Sequence, residues 1–237
     1  MPAFLEDIAS FRGDGGRNES GQSLEEFLEA YRHEDYDCPS VTADILVFGM
    51  KQEGKPMPEN LKLLMVKRRN HPCIHSWALP GGFVEIREDA AAAAARELLE
   101  ETGLCGIPME QIGCYANYDR DPRWRLVTIS FLALLEPGIH EIAAGDDAAD
   151  AVWMDVRLEK ESVRTDSERQ STDYRLTLRN EERGIRLGAR IEIAENRTGY
   201  LKGRTVTIRE NDGIAFDHPK FIAEAVLLLL DRAEERE

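Results

Sequence analysis

The sequence has few cysteines, an excess of acidic over basic residues, and no long apolar run. Its 237 residues include four cysteines, at positions 38, 73, 105 and 114, and no two of them form a CxxC pair. This spacing excludes a zinc ribbon and favours reduced thiols. The 45 acidic side chains outnumber the 30 basic ones, for a formal net charge of −15. Phosphate backbones and anionic membranes attract basic surfaces, so we expect neither nucleic acid nor membrane as a partner.

The ends of the sequence carry no export or membrane signal. The first 14 residues contain acidic side chains where a signal peptide has basic ones, and the apolar run AVLLLLD at 225–231 is too short to span a bilayer. We therefore expect a cytoplasmic protein. Hydrophobic residues make up 42% of the chain, which is enough for a sizeable core.

Hydrophobic periodicity predicts a mixture of helices and strands. Residues 1–34 are expected to form a flexible, glycine-rich start and a short helix capped by Ser23. Strands are predicted for SVTADILVFGM and its partner LKLLMVKRR, for RLVTISFLALLE, and, as a short element, for AVWMDV. The segment DHPKFIAEAVLLLLDRAEE predicts an amphipathic helix that packs on the main core.

Residues 157–212 differ from the rest of the sequence. Three segments within them alternate apolar and polar residues, and the stretch carries 13 basic and 11 acidic side chains in an otherwise acidic chain. Alternation of this kind is typical of antiparallel strands with one buried face. We therefore predict a main domain of 35–156 plus 213–237, with 157–212 as an inserted antiparallel β subdomain.

The segment GFVEIREDAAAAAARELLEETGL, residues 82–104, predicts a helix with three carboxylates on one side. Glu97, Glu100 and Glu101 are three or four residues apart, and like charges at that spacing repel by about 0.2–0.5 kcal/mol per pair. Carboxylate oxygens are the ligands that Mg²⁺ prefers, and a bound cation would remove the repulsion. The helix therefore predicts a metal site, with a solvated acidic surface as the alternative.

A longer pattern surrounds these carboxylates. The order G-x5-E-x7-R-E-U-x-E-E-x-G-U, where U is a bulky aliphatic residue, is filled at every position by Gly82, Glu88, Arg96, Glu97, Leu98, Glu100, Glu101, Gly103 and Leu104. This is the Nudix box, so the sequence resembles the Nudix hydrolases. The resemblance extends to the segments WALPGGFVE, DRDPR and IAFDH, and it leaves residues 157–212 outside.

The resemblance implies an α/β class of fold, an α/β/α sandwich around a mixed sheet. It also implies Mg²⁺-dependent hydrolysis, with Mn²⁺ as a substitute, of the pyrophosphate bond in a nucleoside diphosphate linked to another moiety. On this basis the metal ligands are Glu97, Glu100, Glu101 and a backbone carbonyl of Gly82 or Gly81. Glu88 and Arg96 would stabilise the loop and orient these ligands.

The general base is less closely defined by the pattern. It is either a box glutamate or an acidic residue in the later loop HEIAAGDDAADAVW, where Asp146 and Asp147 are the candidates. Solvated turn aspartates are the alternative interpretation of that loop.

The substrate pocket lies outside the box. Arg68 and Arg69 follow a strand and are expected to hold a phosphate, unless they are surface charges. The segment YDRDPRWR resembles one found in Nudix proteins related to ADP-ribose pyrophosphatases, so we expect the substrate to contact Arg120, Asp121 and Arg123, with Trp124 in the core.

ADP-ribose or a related dinucleotide is the preferred substrate. Many ADP-ribose hydrolases have a marker proline at one of two positions after the box. This sequence has Asp119 and Arg120 at those positions, and its proline, Pro122, comes later. A house-cleaning triphosphate pyrophosphatase and an ADP-ribose-binding sensor are the alternatives. The 157–212 segment is a candidate surface for homodimerisation.

Overall fold

The computed structural model describes residues 4–138, 142, 148–200 and 203–235. The chain divides into two compact units, Met1–Cys38 and Pro39–Glu237. The smaller unit contains helix α1, Leu24–Ala30. As predicted, Ser23 caps this helix: its hydroxyl accepts from the Glu26 N–H, and the Glu26 carboxylate accepts from the Ser23 N–H. This reciprocal pairing satisfies two backbone donors that helix formation leaves without partners.

The larger unit combines two helices with one sheet. Among its described residues the helices are α2 (Ala90–Thr102) and α3 (His218–Glu235), and the strands are β1 (Ser40–Met50), β2 (Leu61–Arg68), β3 (Trp77–Ala78), β4 (Gly81–Phe83), β5 (Glu110–Tyr115), β6 (Leu126–Leu135), β7 (Ala148–Thr165), β8 (Arg169–Asn180), β9 (Ile185–Asn196) and β10 (Arg204–Asp212). Helix α2 ends at Thr102, and Gly103 follows it in the left-handed conformation, which glycine adopts readily.

The sheet is mixed, which confirms the predicted fold class. Its main path runs β10-β9-β8-β7-β2-β1-β6-β5, while β3 pairs with β2 and β4 pairs with β1. Strands β1 and β6 are parallel, and β1 and β2 are antiparallel. The parallel pair places the start of both strands, near Thr42 and Thr128, at the same end of the sheet.

The core has two layers because successive side chains of a strand point to opposite faces. Ile45 and Val47 pack in one cluster with Ala93 and Leu98 of α2. The alternate residues of β1, including Phe48, pack in the other cluster with α3. Helices therefore cover both faces of the sheet, as in an α/β/α sandwich.

The strands predicted for 157–212 are present as β8, β9 and β10, and they continue the main sheet. The short strand predicted at AVWMDV is wrong in length, because β7 has 18 residues. Its first part pairs with β2 and its later part with β8, so the ladder runs from the main domain into the extension without a break. The division into a main domain and an inserted subdomain stays a prediction.

Candidate active site

A cleft of about 390 Å³ lies where β1, β4, α2 and the start of α3 meet. Its wall combines carboxylates, arginines, backbone glycines and aromatic rings. These groups are contributed by Thr42, Asp44, Arg68, Ala78, Leu79, Gly81, Gly82, Phe83, Glu85, Arg96, Glu97, Glu101, Arg120, Asp121, Arg123, Leu126, Thr128, Phe216 and His218. Two box glutamates, Glu97 and Glu101, therefore share one cavity with Arg68, Arg120 and Arg123, three of the predicted substrate arginines.

Two glycines allow the backbone to approach the carboxylates. A Cβ at Gly82 would lie 2.3 Å from Glu97 Oε1, so that carboxylate occupies the space a side chain would take. At Gly81, with φ of +152°, a Cβ would lie 2.3 Å from the Ala43 carbonyl oxygen. The Gly81 N–H donates to Glu101 Oε2 at 2.9 Å. Strand β4 therefore brings its backbone directly against two of the predicted metal ligands.

Arg96 organises the carboxylates of the box. Its guanidinium donates twice to Glu88, at 3.0 and 2.9 Å, and once each to Glu97 at 2.7 Å and Glu100 at 3.2 Å. A further bond reaches the Phe83 carbonyl oxygen at 3.0 Å. The hydrogen bonds to Glu88 and then Glu97 raise the pKa of the Arg96 guanidinium. The arginine thereby fixes the carboxylates that precede and follow it in the chain.

Burial differs strongly among the three helix carboxylates. Burial, together with the charges of Glu97 and Asp44, raises the pKa of Glu101 to about 8, although the Gly81 N–H lowers it. Burial also raises the pKa of Glu97, against the hydrogen bond from Arg96. The Glu100 side chain is 57% exposed. The inner end of the cleft thus holds a carboxylate, Glu101, whose charged form is disfavoured by burial and would be favoured by a nearby cation.

The donor chemistry of this end fits a hard divalent cation. Carboxylate oxygens of Glu97 and Glu101 lie beside the backbone of Gly81 and Gly82, and such oxygens suit Mg²⁺ and Mn²⁺. Within the described ranges, no three His, Cys, Asp or Glu side chains already form a metal-ready group. Arg96 holds Glu97, while Glu101 accepts from Gly81, so cation binding requires these side chains to reorient.

Arginines and aromatic rings form another part of the wall. The Arg123 guanidinium lies 5.4 Å from the Phe83 ring centroid and 5.8 Å from that of Phe216. Asp121 accepts from the Arg123 side chain at 3.0 and 2.8 Å, which fixes its orientation. Arg68 lies 4.9 Å from the Phe216 centroid, and burial, followed by the charge of Arg123, lowers its pKa. An anion between the two guanidinium groups would relieve this repulsion.

Arg120 is part of the cleft wall, and its guanidinium is hydrogen-bonded to two neighbouring side chains. It donates to both carboxylate oxygens of Asp217 and to the Thr128 hydroxyl, and only 5% of its side chain is exposed. The predicted contact between Arg120 and the substrate stays a prediction. Trp124 does not lie in the core, since 58% of its surface is exposed.

The remaining predicted residues lie elsewhere. Arg69 lines a neighbouring cavity of about 240 Å³, which borders Arg68 and Glu101. Asp146 and Asp147 fall outside the described residues. Asp150 of the same loop is on β7 and pairs with Arg183.

The cleft residues that sequence reasoning missed include Asp44, Phe216 and His218. Two signals in the sequence indicated them. Asp44 interrupts an otherwise apolar strand, TADILVF, and the IAFDH segment places charged and aromatic residues just before a helix. Asp44 is 8% exposed and His218 is 4% exposed, so both are buried polar groups that require partners.

Comparison with known proteins agrees with the geometry. The family model described as NUDIX domain matches residues 39–173, more than half of the chain. The chain therefore belongs to the NUDIX domain family. A solved structure, a MutT/nudix family protein from Enterococcus faecalis, superposes with a TM-score of 0.62 at 29% identity, covering 96% of this chain and 76% of that one.

Two curated relatives each match less than half of this chain. An ADP-ribose pyrophosphatase from Methanocaldococcus jannaschii is 43% identical over 95 residues, which is 40% of this chain and 55% of that protein. The ADPR responsive transcriptional repressor NtrR from Acinetobacter baylyi is 38% identical over 115 residues, which is 48% of this chain and 44% of that protein. The chain thus spans about half the length of these relatives. Among the described residues, no helix has the length and apolar character needed to cross a membrane.

Proposed function

We propose that this protein hydrolyses the pyrophosphate bond of a nucleoside diphosphate linked to another moiety, with ADP-ribose or a related dinucleotide as the preferred substrate and Mg²⁺ as the cofactor. One observation carries the proposal: a single cleft contains the half-buried carboxylates Glu97 and Glu101 together with the guanidinium groups of Arg68 and Arg123. Carboxylates of this kind hold divalent cations, and arginines bind phosphate oxygens.

The catalytic end of the cleft would be the box. Glu97, Glu100, Glu101 and the Gly82 carbonyl would hold the cation, which neutralises phosphate charge and lowers the pKa of a bound water. Arg96 orients Glu97 and Glu100 through the bonds described above. Asp146 or Asp147 remains the proposed base from a later loop.

The substrate end would be the arginine–aromatic wall. Asp121 holds Arg123 in one orientation, so this guanidinium is preorganised to receive a phosphate without further loss of freedom. The exposed ring of Phe83 and the neighbouring Phe216 offer flat apolar surface to a nucleoside base. The relative named as an ADP-ribose pyrophosphatase supports the choice of ADP-ribose.

Product analysis tests the proposal. The purified protein would be incubated with Mg²⁺ and ADP-ribose, NADH, diadenosine polyphosphates, sugar nucleotides or nucleoside triphosphates. We expect ADP-ribose to give AMP, with the activity lost in EDTA and in Glu101→Gln. Glu234→Gln, which changes an exposed carboxylate on α3, is the matched control and should retain activity. Release of pyrophosphate from triphosphates would instead support the house-cleaning alternative.

A second candidate function is ADP-ribose binding without hydrolysis. The resemblance to a repressor that is named as ADPR responsive favours it. Calorimetric titration with ADP-ribose, followed by analysis of the same sample for AMP, separates the two functions. Tight binding with no AMP would favour the sensor and contradict the hydrolase.

The proposed partner is a nucleotide rather than nucleic acid, because the net charge is −15. Anisotropy measurements with labelled duplex DNA at low salt should detect no binding. The predicted cytoplasmic location and the homodimer stay predictions, and light scattering after gel filtration would test the latter.

A further inference from the structure

The first turn of α3 contributes a buried histidine to the cleft. The His218 ring lies between two aromatic neighbours, with centroid distances of 5.6 Å to Phe216 and 5.5 Å to Phe221. Only 4% of the residue is exposed. Packing on both sides fixes the ring, so its two nitrogen atoms have defined neighbours. Residue 218 also lies beyond the 39–173 segment that matches the family model.

The hydrogen bond to one nitrogen determines the tautomer. His218 Nδ1 accepts from the Leu79 N–H at 3.0 Å. A neutral imidazole has one acceptor nitrogen and one donor nitrogen, so the proton is on Nε2. Nε2 lies 3.4 Å from Asp44 Oδ2. The histidine therefore presents an N–H to a carboxylate from a strand that is 174 positions earlier in the sequence.

Asp44 borders the predicted metal-binding end. It pairs with Gly81 across β1 and β4, and its Oδ1 is 2.6 Å from the point that a Gly81 Cβ would occupy. The Gly81 N–H bonds to Glu101, so the two carboxylates lie against the same residue. Among the described residues, His218 forms the ion-pair contact with Asp44, and the charge of Arg123 also acts on this carboxylate. A buried carboxylate with few positive neighbours is costly, and a bound cation would lower that cost.

We propose that His218 is a positioning residue, which holds the Asp44 carboxylate towards Glu101 and thereby adds a further negative group to the cation-binding end of the cleft. This inference rests on the proposed function. The separation of 3.4 Å is longer than that of a well-formed hydrogen bond, and the proposal predicts that it shortens when a cation is bound, as catalytic hydrogen bonds often do on ligand binding. Replacing a residue that hydrogen-bonds to a metal ligand typically lowers metal affinity about 10–100-fold.

The test measures the Mn²⁺ dissociation constant of the full chain, which does not depend on turnover. Asp44→Asn and His218→Asn should each weaken Mn²⁺ binding about 10-fold. The asparagine keeps an acceptor for the Leu79 N–H but has no atom at the Nε2 position. His218→Gln places an amide nitrogen there and should restore binding to within about threefold of the wild type. The double variant Asp44→Asn with His218→Asn should bind like Asp44→Asn alone, because the two residues act in series.

Tyr115→Phe is the matched control for a general loosening of α3. The Tyr115 hydroxyl donates to Glu224 of α3 at 2.7 Å, and its ring stacks on Phe221 at 3.6 Å. The substitution removes only the hydroxyl and so breaks a bond to α3 at a point away from Asp44. The Mn²⁺ affinity should therefore stay within about twofold of the wild type.

Spectroscopy of the wild type covers the case in which a His218 variant does not fold. Long-range ¹H–¹⁵N spectra should show the Nε2-protonated tautomer, with the Nε2 signal shifting when Mg²⁺ is added. The opposite tautomer, wild-type affinity in His218→Asn, or fully additive effects in the double variant would overturn the proposal. Failure of wild-type protein to bind Mn²⁺ would overturn it together with the metal dependence. Mn²⁺ binding without any hydrolysis would contradict the proposed function alone.

Discussion

The guanidinium of Arg120 donates to both carboxylate oxygens of Asp217, at 2.9 and 3.3 Å, and joins two positions 97 residues apart. Both side chains are nearly inaccessible, with exposed fractions of 5% and 9%. The pair links the segment before β6 to the segment before α3, and both segments contribute to the wall of the cleft. The pair therefore holds the wall in place whether or not Arg120 contacts a ligand.

Asp217→Asn is expected to lower the free energy of unfolding by about 3 kcal/mol, because it leaves a buried guanidinium without its counter-charge. The substitution keeps the size of the side chain, so the loss reports charge rather than volume. Urea unfolding followed by circular dichroism measures it. The exposed pair between Arg232 and Glu110 is the control, and Glu110→Gln should change stability by less than about 1 kcal/mol. Equal effects of the two substitutions would contradict the prediction.

The neighbouring glycines should respond differently to alanine. At Gly81 the added Cβ meets the backbone oxygen of Ala43, which cannot move without disturbing β1, so Gly81→Ala should lower stability by about 2 kcal/mol or more. At Gly82 the three atoms nearest the Cβ all belong to the end of the Glu97 side chain, which can rotate away. Gly82→Ala should therefore remain folded but lose hydrolytic activity by about 10-fold or more, because a predicted metal ligand is displaced.

Thermal unfolding and initial rates, measured on the same preparations, separate the two effects. Gly138→Ala is the matched control, since a Cβ there meets nothing within 4 Å. A Gly82→Ala protein that keeps full activity would show that the position of Glu97 is not required.

The sequence was sufficient to predict the sites where residues close in the chain act together. The spacing of Glu97, Glu100 and Glu101 places them on one side of a helix, and Arg96 is four residues before Glu100, the spacing at which helix side chains meet. The structure adds the contact between Gly82 and the Glu97 carboxylate. Local periodicity contains no information about such an approach between a strand and a helix.

Residues brought together by tertiary packing were missed for the same reason. The contact between His218 and Asp44 depends on how α3 crosses the sheet, which no local pattern specifies. The edge strand β5 was not predicted, because its residues EQIGCY are partly exposed and show no clear alternation. The length of β7 was underestimated, since a strand that changes partners along its course has no turn signal at the change.

Arg96→Lys should reduce hydrolysis about 10–100-fold while the protein remains folded. Lysine keeps the positive charge, but a single ammonium group cannot replace the bonds that Arg96 makes to Glu88, Glu97, Glu100 and the Phe83 carbonyl. Steady-state kinetics with increasing Mg²⁺ would detect the loss, which we expect mainly in kcat. Arg87→Lys, a change of the same kind at an exposed position, serves as control. Unchanged kcat in Arg96→Lys would show that charge alone is sufficient.

Arg68 and Arg69 are adjacent in sequence but should differ in function. Arg68 lines the main cleft and stacks on Phe216, whereas Arg69 lines only the neighbouring cavity. Arg68→Met keeps an apolar chain over the ring and removes the charge, so it should raise KM for an anionic substrate about 10-fold or more, the effect of losing a charge-assisted hydrogen bond. Arg69→Met should change KM by less than about threefold.

Arg68→Lys distinguishes the charge from the geometry of the guanidinium. The Arg68 Nε donates to the Pro72 carbonyl oxygen at 2.8 Å, which anchors the guanidinium at the edge of the cleft. Lysine supplies one charged group without this anchor, so we expect a KM between those of the wild type and Arg68→Met. Initial rates over a range of ADP-ribose concentrations, at saturating Mg²⁺, give both KM and kcat. A larger effect at Arg69 than at Arg68 would assign the phosphate to the neighbouring cavity, since Arg69 lines that cavity.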